Sequence, residues 1–295
     1  MLVVKNSRTA SALRARWLRV LSIEWQRSDL LPLIAIVWLM IVGVGAIATN
    51  WLLLPNAFDG DLLQMLAPPS AEHWFGSDSL GRDMFARCLL GARVSLSVGV
   101  GSVLFGLIVG GTLGLVAGYF ANCWGRVVMA SMTVLLSFPP LILAIVIVST
   151  FGANSRNVAL AIGVLFVPAF ARMARANTLL YRQREFVLAA EAMGASTARI
   201  LFLEILPNII PALLAYSVVM LGVAILAESS LGFLGLSVPP PMPSWGGIIA
   251  AEKASLRDAP WAVFFPALMM FLSVAAVNVL GERARKMFDV KAQGL

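Results

Sequence analysis

The chain has 295 residues, 60% hydrophobic and only 13% charged, with a mean hydropathy of +0.88, too little polar surface for a soluble domain of this size. Its two cysteines, Cys88 and Cys123, make no disulfide framework, and the single histidine, His73, excludes a histidine-built metal cluster. The net charge of +7 comes from basic residues that flank apolar runs, with no aromatic-lined patch. A lipid bilayer is therefore the expected partner and nucleic acid is not.

Residues 1–29 hold Lys5, Arg8, Arg14, Arg16, Arg19 and Arg27 against Glu24 and Asp29, so this basic segment is expected to stay in the cytoplasm. Residues 30–54 carry no charge and are long enough to cross a hydrocarbon core of ~30 Å as the first transmembrane helix. Ala46-Ile47-Ala48 looks like a signal-peptidase site, but the apolar run continues past it, which reads as an uncleaved anchor.

A polar extracytoplasmic segment is expected over 55–93. Within it His73–Leu96 alternates acids and arginines, and Asp78, Asp83, Arg82 and Arg87 are placed to form a salt-bridged cap over the next span. Apolar runs then follow at 94–121, 127–151, 158–171, 205–227 and 261–281. That predicts an all-α, polytopic protein of six spans with both termini cytoplasmic. This topology leaves 16 of the 22 Lys and Arg inside, the outer six being Arg82, Arg87, Arg93, Arg156, Lys253 and Arg257.

In the second span Ser102, Gly106, Gly110, Gly114 and Gly118 recur every four residues, a ridge suited to close helix packing or to lining a path. The fourth run is short: 14 residues cover only ~21 Å, so the helix must begin near Ser155 and continue past Arg172 and Arg175. Those two arginines either snorkel inward or line a wet cavity, and Pro168 is positioned to kink the helix. Between the fourth and fifth spans, over 177–207, Phe186, Ala189, Ala190 and Met193 form one apolar helical face that wants a partner. Gly194 is placed as a left-handed cap, Ser196 as the next N-cap, and Pro207 where the following apolar run begins. Glu228 falls near the outer end of the fifth span, ~31 Å along it from Pro207, where it either caps local amides or neighbours a substrate exit. A loop over 237–260 and a cytoplasmic tail over 283–295 complete the chain; residues 94–282 make the five-helix core.

No lysine follows a glycine, so a Walker-type G-K-[ST] loop is excluded and ATP must be handled elsewhere. One histidine leaves no H-E-x-x-H and no Ser-His-Asp set, which argues against an enzyme. A self-contained secondary transporter would need paired broken helices with intramembrane ion ligands, for which only Glu228 offers itself.

Ala189-Ala190, Gly194 and Leu206-Pro207 resemble the cytoplasmic loop signature of permease subunits in ABC-type importers, although Leu188 and Glu204 replace that family's usual Glu and Ile. His73–Leu96 is similar, more specifically, to the smaller "C"-type permease of dipeptide, oligopeptide and nickel importers. The matching positions are Gly76, Asp78, Gly81, Arg82, Asp83, Arg87, Gly91, Ala92, Arg93, Ser95 and Leu96. Residues 225–235, Val238-Pro239-Pro240 and Pro243-Ser244-Trp245-Gly246 follow the same family. The resemblance covers about residues 30–290 and implies a type I ABC importer permease fold in the cytoplasmic membrane, carrying di- or oligopeptides or, alternatively, nickel or another small solute. It further implies a coupling helix over Glu185, Phe186, Ala189, Ala190, Glu191, Met193 and Gly194, docked on one of two ABC ATPase subunits that hold ATP and Mg²⁺. A second homologous permease and an extracytoplasmic substrate-binding protein are the remaining partners it implies, with no cofactor in this chain.

Overall fold

The computed structural model describes residues 30–49 and 57–293, with side chains to 287. The basic segment 1–29 and the end of the first apolar run lie outside the described residues. Among those described, every regular element is helical apart from one isolated bridge between Ser77 and Asp83.

Helix α1 (Leu30–Ala48) buries only Ala35, Val42 and Ala46, one narrow stripe of small side chains, and exposes most of its leucines and all of its isoleucines. It rests on α2 (Met84–Tyr119) and α9 (Pro260–Gln293), and Trp38 donates its indole N–H to Ser273 Oγ at 3.1 Å. The core helices are α2, α5 (Ser155–Arg182), α7 (Thr197–Phe233) and α9, each long and apolar enough to cross a membrane, as is α1. The broad exposed belt of Leu, Ile, Val and Phe on their outer faces is what a bilayer covers and water does not.

The seam between α2 and α5 is the most extensive contact in the bundle. A Cβ built on Gly106 would stand 2.7 Å from Phe166 Cβ, on Gly110 2.4 Å from the Val167 oxygen, and on Gly114 2.2 Å from the Ala171 oxygen. The glycine ridge therefore packs backbone against backbone, the expected packing role, as hydrocarbon leaves van der Waals contact to hold helices together.

Five features differ from the sequence expectation. Helix α2 starts at Met84, ten residues ahead of the apolar run, because Asp83 caps it by accepting from Ala86 N–H at 2.7 Å. Arg87 and Arg93 thus belong to the helix, not to the preceding loop. The third run is two helices, α3 (Cys123–Ser137) and α4 (Pro140–Phe151), bent by 89° at Phe138-Pro139, where two consecutive prolines remove successive amide donors. Pro207 does not open the fifth span: α7 begins at Thr197 under a Ser196 cap and runs through a π-turn at Ile200–Ile205, in which Leu206 N–H reaches back to Leu201 O. The wider register lets the helix pass a residue that has no N–H to give. Helix α9 continues to Gln293, where the sequence suggested a tail from 283, and a short helix α8 (Trp245–Glu252) occupies the loop expected over 237–260. The fourth span does run from Ser155 past both arginines, as its length required.

Candidate functional site

At one end of the bundle, residues 57–83 fold over the start of α2. Asp78 is fully buried; its Oδ1 accepts from the amides of Leu80 and Arg82 at 2.9 Å, and its Oδ2 meets Arg82 Nε at 2.7 Å and Arg87 Nε at 3.2 Å. Arg87 also donates to the Ala57 oxygen at 3.1 Å. One carboxylate thus gathers two guanidiniums and two amides, which offsets the cost of taking all three charges out of water.

The four charged residues expected to pair do assemble here, but Asp83 joins a different partner. Its Oδ2 lies 2.8 Å from His73 Nδ1, and the other ring nitrogen of His73 contacts Gln64 Oε1. Gly76 and Gly81 both sit at φ +72°, and a Cβ on Gly81 would stand 1.9 Å from the Asp61 oxygen, so the turn closes only around glycine. Arg93 is exposed on α2 and takes no part. Glu252 is a member that sequence reasoning missed: at the end of α8 it is buried and accepts from Ser79 N–H at 3.1 Å and Ser79 Oγ at 2.9 Å, fastening α8 to the cap. An acid in an apolar stretch is the one signal that could have found it.

Glu228 of α7 is fully buried, so it is neither a solvent-facing carboxylate nor a cap on amides. Serine hydroxyls satisfy it instead: Ser95 Oγ at 2.7 Å, Ser237 Oγ at 2.6 Å and Ser229 Oγ at 3.5 Å. Ser95 in turn accepts from Trp245 N–H at 3.3 Å, while the Trp245 indole donates to the Cys88 oxygen at 3.0 Å. This network pins α8 and the turn before it onto α2 and α7. Cys88 itself is buried, which removes it from reach of any thiol reagent on either side, while Cys123 is exposed.

At the opposite end, the short helix α6 (Glu185–Ala192) projects between α5 and α7. Gly194 takes φ +77° and closes a Schellman motif, with Ala195 N–H bonded to the Ala190 oxygen and Gly194 N–H to the Glu191 oxygen. Met193 is 82% exposed and Phe186 40% exposed; Glu185, Leu188 and Ala189 are exposed beside them. Ala190 departs from the expected face, because with Val187 it is buried in the chain's own core against residues that include Ile200 and Ile205. Tyr119 at the end of α2 holds α6 from the side, donating to Glu191 Oε1 at 3.3 Å under the Arg182 guanidinium. The projection is therefore rigidly seated and presents an apolar tip. Leu206 and Pro207 lie behind it in α7 and do not form part of the tip: Leu206 is partly buried against the core, while Pro207 is exposed.

A membrane bundle of five long helices and one broken pair, capped at one end and carrying a seated helical knob at the other, is the architecture of a transport permease subunit. The family described as "binding-protein-dependent transport system inner membrane component" matches residues 110–292, and the chain belongs to it. It is 42% identical over 236 residues to the glutathione transport system permease protein GsiD of Pectobacterium atrosepticum, spanning 80% of this chain and 78% of that one. It is 40% identical over 271 residues to the GsiD protein of Escherichia coli O6:K15:H31, spanning 91% and 89%. An inward-facing structure of the MetNI methionine ABC transporter shares the fold, with a TM-score of 0.56 at 19% identity over 70% of this chain and 96% of that one. The protein is thus an ABC importer permease subunit, a membrane-embedded transport component.

Proposed function

We propose that this subunit carries small peptides, glutathione among them, across the cytoplasmic membrane, with the cap of residues 57–83 outside and the α6 knob and both termini in the cytoplasm. The observation that carries the reading is α6 itself: an exposed apolar tip at Phe186 and Met193, set on a buried root at Val187 and Ala190. A tip of this kind transmits force only if a partner grips it and its root cannot slide. The partner is a separate ATPase, one of two, which holds ATP and Mg²⁺; a second permease completes the path and an external binding protein delivers cargo. The curated relatives named for glutathione transport support the peptide class. Closure of the ATPases shifts the bundle between two packings through the contact energy that differs between them.

Gly194 tests the coupling. No atom lies within 4 Å of a Cβ built there, so the position is open, yet φ +77° is a strained conformation for a β-branched residue such as the valine of Gly194→Val. The assembled importer should form normally, while substrate-stimulated ATP hydrolysis falls on the order of tenfold, the equivalent of ~1.4 kcal/mol. Undiminished stimulation would remove α6 from the coupling path.

Orientation has its own readout. Cys123 is exposed at the start of α3, at the α6 end of α2, and a membrane-impermeant thiol reagent should modify it only after cells are permeabilised. Modification in sealed cells would invert the topology proposed here.

A further inference from the structure

The junction between α3 and α4 lacks a side-chain cap and lies at an exposed face of the bundle. The outer end of α4 is closed by Asn157, whose Nδ2 donates to the oxygens of Phe151 and Gly152, and α3 and α5 start under asparagine caps. At Pro139 no side chain caps α4, and Pro140 has no N–H to give the Leu136 oxygen. No backbone amide reaches the oxygens of Leu136 or Ser137. Opposite them, Pro168 of α5 withholds the donor that Val164 would otherwise receive. Leu135, Leu136, Phe138, Pro140, Val164 and Pro168 enclose a cavity of about 20 Å³ between the two breaks, room for one water.

Bare backbone oxygens are not tolerated against lipid, where each costs several kcal/mol; irregular backbone at membrane depth is buried in protein or lines water. The exposed surface below the break carries the same message. Arg126, Thr133 and Ser137 share one helical face of α3, at spacings of seven and four, and all three are exposed. Arg172 of α5, also exposed, reaches across to donate to Thr133 Oγ1 at 3.2 Å. That contact uses one of the five guanidinium donors and leaves the others facing outward.

We infer that the α3–α4 break and the Thr133–Arg172 pair form a wet wall of the translocation path, at which Arg172 takes the carboxylate of the passing peptide. The inference rests on the peptide-import reading. A dry contact with the second permease would strand the remaining guanidinium donors, whereas a peptide with a free carboxylate matches them in charge and in forked geometry. The bare oxygens of Leu136 and Ser137 above it accept from water or from the cargo's own N–H groups.

The test uses the complete importer in proteoliposomes, with Cys123→Ser as background. Ser137→Cys should react with a charged, water-soluble thiol reagent and should be protected several-fold by a dipeptide cargo. Reaction only with a membrane-dissolved maleimide, or with neither reagent, overturns the inference in favour of lipid or of a subunit interface. Uptake of a dipeptide is then compared with that of its C-terminal amide. Arg172→Gln should lower the acid-to-amide preference about tenfold relative to the parent, and Arg172→Lys, which keeps the charge but not the fork, should fall between the two. Equal loss for both cargoes also overturns the carboxylate role. If the parent importer moves neither peptide, the cargo assignment fails, and the water-soluble reagent at residue 137 still decides whether the wall is wet.

Discussion

Replacing Asp78 with alanine should cost the subunit on the order of 3–5 kcal/mol, the largest effect expected of any single side chain outside the membrane core. The carboxylate is fully buried, accepts from two amides and from Arg82 Nε, and forms an ion pair with Arg87, whose Nε stands 3.2 Å away. Its removal leaves two shielded cations facing each other with no anion between them and strands the Leu80 and Arg82 amides. The surrounding turn cannot relax toward water, because the Gly81 backbone is held against Asp61 and the Ser79 amide against Glu252. Asp78→Asn retains an oxygen for the amides but not the charge, so it should fall between alanine and the parent. Limited proteolysis of 57–83 and thermal melting in detergent read the loss. A melting point unchanged in the alanine variant would show that the ion cluster contributes nothing to holding the cap.

The second large effect concerns the helix seam. Gly114→Ala should destabilise the bundle by ~3 kcal/mol, at the upper end of the usual cost of overpacking. Its new Cβ would stand 2.2 Å from the Ala171 oxygen and 2.7 Å from Ala174 Cβ, so relief requires moving the backbone of α5. Gly111, three residues earlier on the same helix, is the matched control. A Cβ there meets nothing closer than 3.9 Å, and the nearest atoms are tips of Leu107 and Leu213. Gly111→Ala should therefore leave stability unchanged or raise it by up to ~1 kcal/mol through helix propensity alone. Melting of the two variants side by side separates backbone contact from propensity. If both alanines behave alike, the close approach of α2 and α5 is wrong.

These two sites differ in how far they could be foreseen. The glycine ridge was legible because packing in lipid selects small residues at a fixed helical period, and that period is visible in one dimension. The cap was legible as a cluster of opposite charges. Which acid served which base was not, since Asp78 and Asp83 are equivalent until the turn at Gly81 aims one inward and leaves the other to start α2. The knob was foreseen through Gly194 and Ser196, whose roles are local. The inward turn of Ala190 was not foreseen, because it depends on where Ile200 and Ile205 lie in space.

The amino-acid order alone determined the membrane class, the number of apolar runs, the arginine-bearing length of the fourth span and the absence of an ATP-binding loop. Each follows from composition, period or motif, properties that neighbours in the chain set among themselves. Tertiary structure decided the rest. It folded the third run at Phe138-Pro139 into two helices, carried the fifth span through Pro207 on a π-turn, and buried Glu228 under three serine hydroxyls contributed by α2, α7 and the turn before α8. The bend and the π-turn answer prolines that withhold a local donor, in a way set by what packs around them; Ser95 reaches Glu228 across 133 residues, and a pairing at that separation leaves no period for a linear reading to find.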